Sequence, residues 1–169
     1  AKAPNMFVTV MNTESTGILK RGFDGRTSWM ISNQKGFHNP SPMELATLAA
    51  EADFYREIKL KELYSRISLV GTGPVGTREA YIVEATPRIG AAEKLYFDVE
   101  TGLLMRRDAM SAGSRGLVRA EFYFSDWRLV DGVRIPFKTT ELTPSATYIF
   151  TLEEVKHNVA LDEGIFRQP

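Results

Sequence analysis

Between Lys94 and Leu142 the chain twice runs an aromatic strand into a glycine turn and out again. Lys94-Leu-Tyr-Phe-Asp98 reaches Thr101-Gly102 and leaves through Leu103 to Arg107. Glu121 to Val130 reaches Asp131-Gly132 and leaves through Val133 to Lys138. Glycine accepts the positive φ that tight hairpin turns demand, so each unit reads as a β-hairpin and the pair as an antiparallel meander. No catalytic group recurs with the turns. That favours a scaffold that binds something over one that transforms it.

The rest of the chain extends the pattern. Phe7 to Met11 and Gly17 to Phe23 read as strands, and Asp24-Gly25 as a turn into Arg26 to Ser32. Ile67 to Val70 and Thr77 to Ala85 flank Gly71-Thr-Gly-Pro-Val-Gly76, read as a glycine-rich hairpin loop. Val118 to Trp127, Val133 to Leu142 and Ala146 to Val155 complete the sheet, with Thr143-Pro-Ser145 as a turn. One clear helix is predicted from Ser41, where a capping Ser, Pro at the first helical position and Glu44 precede an apolar stripe of Leu45, Leu48, Ala49 and Ala52. It fades near Tyr55, and Glu57 to Tyr64 adds a weaker helical stretch. Many strands against one helix predict an α+β domain dominated by antiparallel sheet.

At 169 residues and 43% hydrophobic, the chain is long enough for one domain with a core. Lys+Arg and Asp+Glu are both 21, which leaves no global charge to attract nucleic acid. Arg106, Arg107, Arg115 and Arg119 make a modest basic patch, read as a solvated hairpin. The absence of cysteine excludes disulfides, thiol nucleophiles and thiolate metal sites. No stretch is long and apolar enough to read as a membrane span, and no signal peptide is recognised. Ala1-Lys-Ala-Pro4 is read as a cut edge or processed end.

Chemical motifs are weak. Gly71 to Gly76 matches the dinucleotide fingerprint in letters, but a strand follows where that motif needs a helix. His38 and His157 are the only histidines and are read as surface groups, and Ser114 as a loop residue without a nucleophile elbow around it. The pairs Asp98 with Glu100 and Asp126 with Asp131 flank turns, where Asp serves local backbone bonds rather than acid–base work. No metal or cofactor is expected.

The positive signal lies in the strand faces. Val118, Ala120, Phe122 and Phe124 share one face, while Tyr123 and Trp127 occupy the other. A sheet with one wet face alternates apolar and polar residues; here bulky groups stand on both, so a helix, a segment, a partner or an apolar ligand is expected to cover the second. Trp29, Phe97, Met105, Phe122, Phe124, Trp127, Phe137, Tyr148 and Phe150 are the candidates to line an apolar interior. That interior is either a plain core or a cavity left open on the concave face of a curved sheet.

The segments Ala3-Pro-Asn-Met-Phe7, Phe23-Asp-Gly-Arg-Thr-Ser-Trp29, Tyr96-Phe-Asp-Val-Glu-Thr-Gly-Leu-Leu104, Asp126 to Phe137 and the ending Leu161 to Pro169 resemble the LolA/LolB-like lipoprotein-carrier superfamily, which includes RseB-like relatives. The nearest likeness is to C-terminal domains of exported acidobacterial proteins, some following a multihaem-cytochrome-like segment; without Cys-x-x-Cys-His this chain holds no covalent haem. The resemblance implies a strongly curved, unclosed antiparallel β-sheet, a half-barrel with helix packed on its concave face. It also implies a single domain over 1–169 that lacks the family's N-terminal helix and first strands. By the same resemblance the chain is a non-enzymatic, periplasmic binding domain for a lipid or a lipoprotein acyl chain. The alternative is a structural or interaction module docked or fused within a larger exported protein, without a ligand of its own.

Overall fold

The structure is a computed structural model. It describes residues 1–13, 17–32, 36–38, 52, 59–88, 91–113 and 116–168. The chain forms two compact units, one from residues 1–60 with 159–169, the other from 61–158.

The first unit holds a four-stranded antiparallel sheet in the order β1 (Phe7–Thr13), β2 (Gly17–Phe23), β3 (Ser28–Ser32), β4 (Gly36–His38). The Asp24 turn joins β2 to β3 as expected, its carboxylate accepting the Arg26 and Thr27 amides at 2.9 and 2.7 Å. His38 was expected in a loop; its backbone instead pairs with Met30 in β4, because the open edge of β3 offers it a ladder. Trp29 is the anchor. Its ring is 1% exposed, and its Nε1–H donates to the Phe166 carbonyl at 2.7 Å. Phe166, itself fully buried, is carried there by a short 3-10 helix, Glu163–Phe166, whose start Asp162 caps by accepting the Gly164 amide.

Gly22 lies opposite Trp29 in the β2–β3 register, and the ring rests on its backbone. A Cβ at Gly22 would stand 2.6 Å from Trp29 Cζ2 and 2.9 Å from the Phe7 carbonyl oxygen, closer than any side chain tolerates. Gly22→Ala is therefore expected to destabilise this unit by about 1–3 kcal/mol through overpacking. Urea titration followed by circular dichroism checks this; an unchanged midpoint would refute the packing assignment.

The second unit is a seven-stranded antiparallel sheet with neighbours in chain order, β5 (Tyr64–Val75), β6 (Arg78–Pro87), β7 (Glu93–Asp98), β8 (Leu104–Gly113), β9 (Gly116–Val130), β10 (Val133–Leu142) and β11 (Thr147–Thr151). β5 and β11 are its two edges, so it does not close on itself. The meander read from Lys94 to Leu142 is its centre. At Asp131-Gly132 both residues have positive φ, 49° and 83°, the primed hairpin turn whose twist suits the strands it joins. A one-turn helix, α1 (Leu60–Leu63), precedes the sheet, and Arg88 closes its end, its amide reaching the Leu63 carbonyl and its Nε the Glu62 carbonyl.

Two readings change. Gly71 to Val75 is not a loop: it continues β5 across a bulge between Leu69 and Gly71, and the turn falls at Gly76-Thr77. Glycines in a strand weaken it without ending it, and the partner β6 is rich enough in Tyr81, Ile82 and Val83 to hold the ladder. The final strand stops at Thr151 rather than Val155. The helix expected over Ser41 to Tyr55 lies outside the described residues except Ala52, which is helical and buried; Ser114 and Arg115 lie outside them too.

Candidate functional site

Register decides which side chains share a surface. Val83, Leu95, Arg107, Phe122, Glu141 and Tyr148 are consecutive cross-strand partners from β6 to β11, so they form one row on one face. Adjacent rows on that face hold Tyr81 with Phe97, Phe124 with Thr139 and Phe150, and Ala109 with Ala120. Phe137, midway between Pro136 and Lys138 of the opposite face, points the same way and is 5% exposed. Six of the predicted lining residues thus stand on one face: Phe97, Phe122, Phe124, Phe137, Tyr148 and Phe150.

That face is concave. Ser111 Oγ donates to Glu141 Oε1 at 2.6 Å across the whole of β9. Their partners on β9, Val118 and Phe122, are four residues apart. On a flat sheet the two Cα atoms would be about 16 Å apart, from strand and residue spacings of roughly 4.8 and 3.3 Å. Short side chains bridge that distance only where the sheet coils toward them. The bulges between Leu69 and Gly71 and between Tyr96 and Phe97 supply local bending.

Within the aromatic face sits one polar group that the sequence reading missed. Glu93 is 9% exposed and lies opposite fully buried Ala85. Its Oε2 meets Arg107 Nε at 2.9 Å and accepts the Tyr64 hydroxyl at 3.2 Å. Arg107 in turn covers the Phe122 ring at 5.5 Å. The period-two run Glu93-x-Leu95-x-Phe97 carried the signal, since it places a carboxylate on the inward side of an otherwise apolar strand.

The opposite face is not a second apolar wall. Tyr96, Arg106 and Tyr123 are cross-strand partners there. Arg106 lies 5.0 and 5.4 Å from the two ring centres, the hydroxyls donate to Asp108 and Glu121, and Arg106 pairs with both carboxylates. Burial, then the hydrogen bonds to Asp108 and Glu121, raise both tyrosine pKa values, so the phenols stay protonated donors. Among the described residues, the bulk on this face is a half-buried lattice of charge and ring. The basic patch resolves likewise: Arg106 and Arg107 are held by carboxylates on opposite faces.

The remaining candidates lie elsewhere. Trp29 belongs to the first unit's core. Met105 sits at the β7–β8 bulge and, with Phe124 and Trp127, lines a hollow of about 540 Å³ bordered by Leu103, Arg78 and Arg134. Another hollow, about 700 Å³, lies among Lys94, Asp108, Met110, Arg119 and Leu142.

Both carboxylate pairs are engaged by local partners. Asp126, with φ 53° inside β9, is clamped by Arg128 at 3.0 and 2.6 Å, and Asp131 meets His157 Nδ1 at 3.2 Å. Asp98, 1% exposed, organises its turn: Oδ1 accepts the Glu100 and Thr101 amides at 2.9 and 2.8 Å, and Oδ2 faces Arg78 Nε at 2.7 Å. Burial pushes its pKa up, but the Thr101 and Glu100 bonds and Arg78 outweigh that and hold it below the ordinary carboxylate value. A lowered folded pKa stabilises the fold above the unfolded value near pH 4 and ceases to do so as pH falls through the folded value. Asp98→Asn is expected to be less stable than the parent at pH 7, with the gap shrinking as pH falls below the ordinary carboxylate value and through the lower folded one. Paired urea titrations at both ends check it, and a gap independent of pH would count against the assignment. Among the described residues no group of three His, Asp or Glu is placed to hold a metal.

At the level of sequence, no protein-family model and no curated protein matches this chain. Solved structures do. A LolA superfamily protein from Nitrosomonas europaea superposes over 99% of this chain and 79% of its own, with a TM-score of 0.63 at 12% identity. A domain described as an outer membrane lipoprotein-sorting protein domain, from Vibrio parahaemolyticus, covers 95% and 80% at TM-score 0.53 and 12% identity. A DUF1329 family protein from Desulfovibrio piger covers 89% and 68% at TM-score 0.58 and 16% identity. At such identities the likeness is one of fold. The unclosed antiparallel sheet, coiled toward its aromatic face, is a LolA/LolB-like fold.

Proposed function

We propose that this chain is a non-catalytic, exported binding domain that takes a lipid or lipoprotein acyl chain on the concave face of its seven-stranded sheet. The observation that carries the reading is the gathering of six aromatic side chains on one coiled face by strand register. Aromatic and aliphatic walls with a few placed polar groups are the ordinary lining of sites for apolar ligands. The likeness to a lipoprotein-sorting domain supports the same ligand class and a periplasmic setting. Among the described residues no helix is long and apolar enough to cross a membrane.

The test is organic extraction of the purified protein with mass spectrometry, then titration with a dansylated fatty acid. Saturable binding displaced by unlabelled palmitate is expected. Phe122→Ala is expected to weaken it about tenfold or more, the loss of one apolar ring contact. A folded protein with no extracted lipid and no saturable binding overturns the proposal.

The alternative, an interaction module without a ligand, draws on one observation: Leu95 and Phe137 are each only 5% exposed, so part of the concave face is already filled. That reading expects an intact fold, no fatty-acid binding, and no response to Phe122→Ala beyond stability.

A further inference from the structure

Strand β11 is one of the two edges of the sheet, and its sequence, Thr147-Tyr-Ile-Phe-Thr151, holds no charge and no proline. Edge strands normally carry such groups because an open ladder recruits other strands. Here Tyr148, Ile149 and Phe150 are 51%, 61% and 51% exposed. The Leu152 amide donates to the Phe137 carbonyl at 2.8 Å, so the backbones of Tyr148 and Phe150 also face β10. Thr147, Ile149 and Thr151 therefore turn their N–H and C=O groups to the open side.

We propose that β11 pairs antiparallel with β11 of a second copy of this chain, on a two-fold axis through Ile149. The segment is nearly palindromic, which is what an isologous contact needs. Ile149 meets Ile149 and Thr147 meets Thr151, all as hydrogen-bonded pairs, since those are the outward-facing groups. Tyr148 meets Phe150 twice, in the closer non-hydrogen-bonded positions that suit aromatic pairs. Charge favours this orientation: a parallel pairing in register would bring Glu153 and Glu154, just past the end of the strand, beside the same residues of the second copy, whereas the antiparallel pairing sends them to opposite ends. The paired ladder ends with the strand itself, at Thr147 and Thr151. Each copy has one β11, so the contact closes at a dimer. A five-residue strand pair is small beside the roughly 1,200–2,000 Å² of standard interfaces, so association is weak and rises with concentration.

The experiment is sedimentation velocity on the full chain from dilute to near-millimolar protein, with circular dichroism confirming that every variant is folded. The unaltered chain is expected to shift from monomer to dimer and no further. Ile149→Lys and Ile149→Glu, at an exposed position, are each expected to stay monomeric wherever the unaltered chain dimerises. An equal mixture of the two is expected to dimerise again, because only a 149–149 contact sets Lys beside Glu. Leu129→Lys, at a position 66% exposed, is the control and is expected to dimerise as the parent does. A monomeric parent, open-ended association, a dimer that survives Ile149→Lys, a mixture that remains monomeric, or loss of the dimer in Leu129→Lys would each overturn the pairing.

Discussion

Trp29→Ala is expected to destabilise the four-stranded unit by about 4 kcal/mol, the scale for emptying a buried tryptophan site. The ring is 1% exposed, and its indole N–H is the partner of the Phe166 carbonyl at 2.7 Å. Removing it leaves a cavity beside Gly22 and an unanswered buried carbonyl, worth about 1–3 kcal/mol by itself. Against a typical domain stability of roughly 5–15 kcal/mol, such a loss takes most of the margin. Trp29→Phe separates the parts: it keeps much of the packing and loses the bond, and about 1–2 kcal/mol is expected. Hydrogen exchange on the β2 and β3 amides is the appropriate measurement. The chain has two tryptophans, so in either variant the remaining fluorescence reports Trp127 in the seven-stranded sheet. Unchanged exchange in β2 and β3 would show that the ring is not the anchor.

Glu93→Ala is expected to cost about 3 kcal/mol, at the low end for breaking a buried pair because Arg107 keeps 30% of its side chain in solvent. The loss comes less from the attraction removed than from the Arg107 cation left facing an apolar wall. Replacing both partners distinguishes these: Glu93→Leu with Arg107→Met is expected to recover most of the stability, since matched apolar groups need no desolvated partner. Urea titration of the two single variants and the double variant gives the coupling directly. A double variant no better than the sum of the singles would mean the pair contributes through packing alone. If the pair meets a ligand's head group, the double variant binds the dansylated fatty acid with altered affinity while remaining stable.

Much of the sheet was legible because hairpin chemistry is local. Asp24-Gly25, Thr101-Gly102 and Asp131-Gly132 carry their own turn preference, and the aromatic strands between them have no competing helical period. The segment at Gly71 was misread for the same reason: glycines and a proline look like a turn locally, and only pairing with β6 keeps them in a strand. Face assignment was right for Phe122 and Phe124 because alternation within one strand is enough. The same alternation sets Tyr123 and Trp127 on the other face, but it does not show that Arg106 from the neighbouring strand lies over the Tyr123 ring and pairs with Glu121 beside it. Glu93 was passed over because one carboxylate in a strand is ordinary, and its burial depends on Ala85 and Tyr64 from β6 and β5.

The sequence alone determined most of the strands, the turns at Asp24-Gly25, Thr101-Gly102 and Asp131-Gly132, and the antiparallel order of the meander, since each follows from contacts a few residues apart. Tertiary structure decided which aromatics stand together, that Trp29 is spent in a separate core, and that the meander's inner face carries a buried ion pair. Those depend on strand register and sheet coiling, which bring together side chains such as Ser111 and Glu141 that no local pattern connects.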